Sequence, residues 1–219
     1  MALTAFWPMT RCTSSSQCGS EVREGGRIRR KSNVRGGLPP PPKISSAEDL
    51  LLRILASGAV ARDDEIIIIG SQSILGQFPD APIRLLASME ADVFPKRNPE
   101  FADKIDGAIG EGSPFHEMHG YYAQGVGPET AVLPSGWHDR VVVVKNENTN
   151  GIAGLCLEAH DLAISKFVAG RYKDLEFIQE LVRHEMIREN IMLTRLDETE
   201  LQESERSRIS AKIEAMFSY

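Results

Sequence analysis

The chain has 219 residues, 42% of them hydrophobic and 26% charged, enough for one domain with a sizeable core or for one domain and a tail. Its longest aliphatic runs, such as Ile66 to Ile69, fall far short of the roughly 20 apolar residues of a membrane-spanning helix, so no membrane partner is expected. The formal net charge of −6 is unevenly spread, because residues 1–43 hold eight Lys/Arg against two Asp/Glu and the remainder is strongly acidic, which offers no obvious field for nucleic acid.

Residues 1–43 are rich in Ser, Gly, Arg and Pro, end in the run Pro39 to Pro42, and show no helical or strand period. Disorder is the expectation there, with a basic arm for nucleic acid (Arg27 to Arg35) or an overlong gene start as alternatives. Residues 44–219 are expected to form the domain. Three cysteines without framework or metal spacing point to a reducing, cytoplasmic setting.

Within the domain, Ser46 with Asp49 three residues on makes an N-cap for a helix through LLRILA, predicted to end at Gly58. Four consecutive isoleucines, Ile66 to Ile69, predict a strand buried on both faces and hence central in a sheet covered by helices. Gly70 and Ser71 end that strand and lead into a short helix, SQSILGQF. A small residue at a strand end lets the backbone approach a ligand closely, and the Ser71 and Ser73 hydroxyls and helix-start amides can bind phosphate oxygens. The plain alternative is a helix cap at a tight turn.

The next strand, in LLASMEADVFP, places Ser88, Glu90 and Asp92 on one face by alternation. Carboxylates at i and i+2 can both reach one divalent cation through oxygen, and in phosphoryl and nucleotidyl transfer such a pair holds Mg²⁺. A solvated polar strand face is the alternative. NPEFADKIDGAIGEG predicts a helix with Asn98 as N-cap and Pro99 in its first turn. The Gly-rich aromatic segment 113–131 is read as irregular, with His116 and His119 as core or loop residues and Tyr121, Tyr122 and Gln124 as candidates for a base pocket. Arg140–Val144 and Ile152–Leu157 predict antiparallel strands around the NENTNG turn.

A helix from about Ala159 to Ala169, closed by Gly170, carries Lys166 on its apolar side. A lysine there needs an anionic partner: a nucleotide phosphate, Glu90, Asp92 or Asp174. Asp174, Phe177, Ile178 and Leu181 then share one stripe of the following helix, where an Asp in the first turn also suits the helix dipole. Residues 183–219 read as polar helix with Ile209, Ile213 and Phe217 as one packing or dimerising edge.

The strings IIIIGSQSILG, ASMEADVFP, GYYAQGVGPETAVLPSGWHDR and CLEAHDLAISKFVAGRYKDLEFI resemble the bacterial nucleotidyltransferase-fold proteins related to the AbiEii and MenT toxins, over most of residues 47–190. The resemblance implies an α+β, polymerase beta-like nucleotidyltransferase fold: a small mixed sheet flanked by helices, with a helical C-terminal part from about residue 159. It implies phosphate contacts from Gly70, Ser71, Lys166 and Lys173, and Mg²⁺ (or Mn²⁺) held by Glu90, Asp92 and Asp174. Nucleotidyl transfer from NTP to a tRNA end or a protein hydroxyl would follow, with an antitoxin protein as partner. Glu90 stands where relatives more often carry Asp. No dedicated general base stands out, and Asp174 or Glu90 could serve. The rival expectation is an inactive nucleotide- or partner-binding module on the same fold.

Overall fold

The computed structural model describes residues 45–218; the expectations for residues 1–43 lie outside them. Helix α1 (Ala47–Ala61) starts with a complete capping box, in which the Ser46 side chain accepts from Asp49 N and the Asp49 side chain accepts from Ser46 N. It does not end at Gly58 but runs on to Ala61, where Arg62 takes the left-handed cap at φ 55°. Gly58 serves close packing instead: a Cβ there would lie 2.7 Å from the Ile152 side chain and 2.8 Å from the Asp63 carbonyl oxygen.

Strand β1 (Glu65–Ile68) leads through a 3-10 turn, Ser71–Ser73, into the short helix α2 (Ile74–Gln77). Strand β2 is Glu90–Pro95. After a 3-10 turn at Pro99–Phe101, helix α3 covers Ala102–Ile109, so Asn98 starts the turn rather than capping the helix. Segment 113–131, read from sequence as irregular, holds helix α4 (Pro114–His119) and strand β3 (Tyr122–Gly125). Then come β4 (Val142–Val144), a 3-10 turn at Glu147–Thr149, and β5 (Ala153–Cys156).

The five strands form one mixed sheet in the order β3-β2-β1-β5-β4. β1 is central, antiparallel to β2 and parallel to β5, and β4 is antiparallel to β5 as the sequence predicts. Centrality follows from the isoleucine run, because Ile66 and Ile68 (both 0% exposed) and Ile67 (3%) leave neither face to water.

The C-terminal part is helical: α5 (Ala159–Ala169), α6 (Tyr172–Arg183), α7 (Glu189–Asp197) and α8 (Glu203–Phe217). α5 ends at Gly170 in the left-handed conformation, as its sequence signals. α8 packs within the chain against α6 and α7, burying Ile209 and Ile213 in the same core as β1. Among the described residues no helix is long and apolar enough to cross a membrane.

Candidate active-site cleft

Three elements converge beyond the end of β1. The amide of Ile69 still donates to Asp92 O at 3.0 Å, and the chain then leaves the sheet at Gly70. A Cβ on Gly70 would overlap the Asp92 carboxylate, whose Cγ would stand 2.9 Å away. Glycine is therefore what lets the turn lie directly against the acid of β2. Within β2, Ala91 and Val93 are buried while Glu90 and Asp92 are half-buried on the opposite face, which is the alternation of a pleated strand.

The third element is the α5–α6 junction. Lys166 is buried, at 7% exposure; its Nζ donates to Ser71 Oγ and to Asp174 Oδ1, both at 3.0 Å. It also stands 4.4 Å from the centre of the Phe177 ring. Asp174 is fully buried, and its other oxygen accepts from Arg171 Nε at 2.6 Å. Burial works to raise the Asp174 pKa, but the Arg171 hydrogen bond and the Lys166 charge outweigh it and hold this carboxyl below its ordinary value. Lys166 is shifted down, burial outweighing the Asp174 charge.

The acid pair is in the opposite condition. Burial, followed by the charge and hydrogen bond of neighbouring Glu90, pushes Asp92 from 3.8 up to about 7, against the pull of Lys166 and Arg171. Two carboxylates held together in a half-buried site repel. All these groups, Gly70, Ser71, Glu90, Asp92, Lys166, Arg171 and Asp174, line one cleft of about 700 Å³.

Residues 51–218 match the family described as nucleotidyltransferase of unknown function (DUF6036). The chain belongs to that family. Searches of curated proteins and of solved structures found no match. The α+β fold, with its small mixed sheet flanked by helices and its helical C-terminal part, is that of a nucleotidyltransferase.

In this nucleotidyltransferase-family domain the cleft does not hold every residue expected from sequence. Ser73 is 0% exposed, away from the cleft, and its hydroxyl has no hydrogen-bond partner among the described residues. The 3-10 turn sends Ser71 to the cleft and Ser73 to the core, which removes Ser73 as a phosphate ligand. Asp174 does not join Glu90 and Asp92: both of its oxygens serve Lys166 and Arg171, and among the described residues no three His, Cys, Asp or Glu side chains share a metal-sized site. Lys173 is exposed at the cleft rim. Tyr121 and Tyr122 are buried outside the cleft lining: Tyr121 stacks under Arg53, and the Tyr122 hydroxyl comes to 3.5 Å from Glu90 Oε2. His116 Nδ1 accepts from Gly112 N, and His119 packs on Phe115 and Tyr121.

Two residues escaped the sequence reading. Arg171 is the second cation on Asp174. Arg53 is 0% exposed behind the cleft. Its guanidinium donates to Ser45 Oγ (3.1 Å), Met89 O (3.0 Å) and Gln72 Oε1 (3.4 Å), while Gln72 donates on to Ser88 O. Ser88 Oγ in turn accepts from Glu90 N. This polar hub ties the Ser71-bearing turn to the start of β2. The signal was available, since Leu50, Arg53, Ile54 and Ser57 fall on one helical stripe.

Proposed function

We propose that this domain is a Mg²⁺-dependent nucleotidyltransferase that moves a nucleotidyl group from NTP to a hydroxyl of an RNA end or a protein. The observation that carries the reading is one cleft facing a Gly-Ser turn, a strand-borne acid pair and a lysine with its oriented carboxylate. The donor set fits the cation: Glu90 and Asp92 offer hard oxygen ligands, and the burial and mutual repulsion that raise the Asp92 pKa are what a divalent ion between them would relieve. Glu90 and Asp92 would hold Mg²⁺ or Mn²⁺, which when bound neutralises charge on the phosphate oxygens.

The chain's own residues then bind and orient. The Ser71 hydroxyl and the Lys166 ammonium take the phosphate tail of the nucleotide, and Asp174 aims Lys166 from behind. Arg171 adds guanidinium donors at the same place. The acceptor oxygen attacks the α-phosphorus, a P–O bond to the acceptor forms, the α–β bond breaks, and pyrophosphate leaves. Both oxygens of Asp174 are engaged by cations and Glu90 is given to the metal, so the acceptor's proton passes to solvent. Positioning and charge carry the rest of the barrier.

A place beside the AbiEii/MenT-type toxins, with an antitoxin as partner, belongs to this proposal and rests on the four sequence strings. One observation favours the second reading, a nucleotide-binding module without turnover: Lys166 already has two partners within the protein. Incubating the protein with α-labelled NTPs, Mg²⁺, tRNA and protein acceptors, beside a Glu90→Ala/Asp92→Ala variant, separates the two. Label transfer lost in the variant supports the transferase; nucleotide binding without any transfer supports the module; transfer that survives in the variant refutes the site.

A further inference from the structure

The cleft continues past Lys166 along α6, where Lys173, Phe177, Glu180 and Arg183 recur at helical spacing and line it. At its far end one carboxylate gathers two guanidiniums. Glu180 Oε1 lies 2.7 Å from Arg183 Nη1 and 3.6 Å from Arg84 Nη1, the latter carried by the 3-10 turn Ile83–Leu85. The exposures are unequal: the Glu180 side chain is 10% exposed, whereas those of Arg183 and Arg84 are 61% and 76% exposed. Here the acid is withdrawn and two guanidiniums are left facing the cleft with most of their five N–H donors unspent.

Glu180 thus holds Arg183 by a hydrogen bond and draws Arg84 alongside by a longer ion pair, which leaves two guanidiniums next to each other as donors suited to phosphate oxygens. Arg183 lies nine positions after Asp174, about 13.5 Å along the helix axis at 1.5 Å per residue. Lys166, bonded to Asp174, and Arg183, bonded back to Glu180, thus line different stretches of the same cleft. We infer that Arg84 and Arg183, held by Glu180, form a second phosphate subsite of the cleft. Its ligand is a phosphate group, carried either by the nucleotide tail or by the phosphodiester chain of an RNA acceptor. The inference rests on the nucleotidyl-transfer reading of the same cleft, yet its test does not require turnover.

The experiment uses the full chain and the Arg84→Met/Arg183→Met variant, with EDTA present. A fluorescent ATP analogue and a 5′-labelled single-stranded RNA are titrated separately at 50 and 200 mM salt. The variant is expected to lose about tenfold or more in affinity for one probe, the size of losing charge-assisted hydrogen bonds, with a shallower salt dependence. Loss for RNA alone assigns the subsite to the acceptor; loss for the ATP analogue alone assigns it to the nucleotide tail; loss for both assigns it to a position the two share. Unchanged melting temperature, expected for such exposed side chains, excludes unfolding as the cause. Unaltered affinity for both probes, or no binding of either by the parent protein, overturns the subsite. If transfer is never detected but the variant still loses affinity, the reaction fails and the subsite stands.

Discussion

The two walls of the cleft are built from the same kinds of charged group and are in opposite electrostatic states. The helical wall is compensated: Asp174 is fully buried but holds Lys166 and Arg171, and remains ionised. The strand wall is not, because burial and the neighbouring charge of Glu90 raise Asp92 to about 7. The difference teaches where a ligand acts. On the proposed reading a cation would stabilise the strand wall by relieving repulsion, whereas a phosphate on the helical wall would compete with a carboxylate already in place.

The sharpest way to break this contrast is Asp174→Ala. It strands a buried lysine, for which the loss is of order 3–5 kcal/mol, a fall of roughly 10 °C in melting temperature by differential scanning fluorimetry. Arg53→Met comes next. It leaves Met89 O and Gln72 short of a donor and is expected to cost about 2–4 kcal/mol, and, because the hub supports Glu90, to weaken Mg²⁺ binding by calorimetry as well. Asp92→Asn goes the other way: it removes the repulsion and should stabilise the cation-free protein by about 1–3 kcal/mol while abolishing Mg²⁺-induced stabilisation and transfer. A destabilised Asp92→Asn protein would disprove the uncompensated strand wall.

The smallest effect is the pH dependence. The folded pKa of Asp92 is raised, so its contribution to stability is fully present below the unfolded value near 3.8 and is lost as pH rises through about 7. The melting-temperature advantage of Asp92→Asn over the parent should therefore be near zero below about pH 4, grow between pH 4 and 7, and level off by about pH 8. Protonated Asp92 is also a poor ligand, so Mg²⁺ affinity should fall below pH 7, by up to about tenfold per unit. An affinity that is flat from pH 6 to 8 would contradict the assignment.

Some of this arrangement could be read from spacing. The bounds of α5, with Gly170 as its cap, and the stripe Asp174–Phe177–Ile178–Leu181 follow from helical period and all four stripe residues are buried. Strand β3 could not be read, because its Tyr-Ala-Gln-Gly sequence lacks alternation. Its glycine answers to packing: a Cβ on Gly125 would overlap the Ala102 carbonyl of α3. That need is visible only once the helix lies on the strand. Gly58 misled for the same reason, resembling a helix end while serving contact with Ile152.

By itself the sequence determined which face each charged residue occupies, since a period of two puts Glu90 and Asp92 together and a period near 3.6 turns Lys166 and Asp174 inward. Only the tertiary structure decided the partners. Lys166 reaches Ser71 across 95 residues and takes Asp174, not the acid pair; Ser73 falls into the core two residues from Ser71. Periodicity is a local property of the backbone, whereas the pairing of buried charges depends on desolvation and distance summed over every element that closes around them.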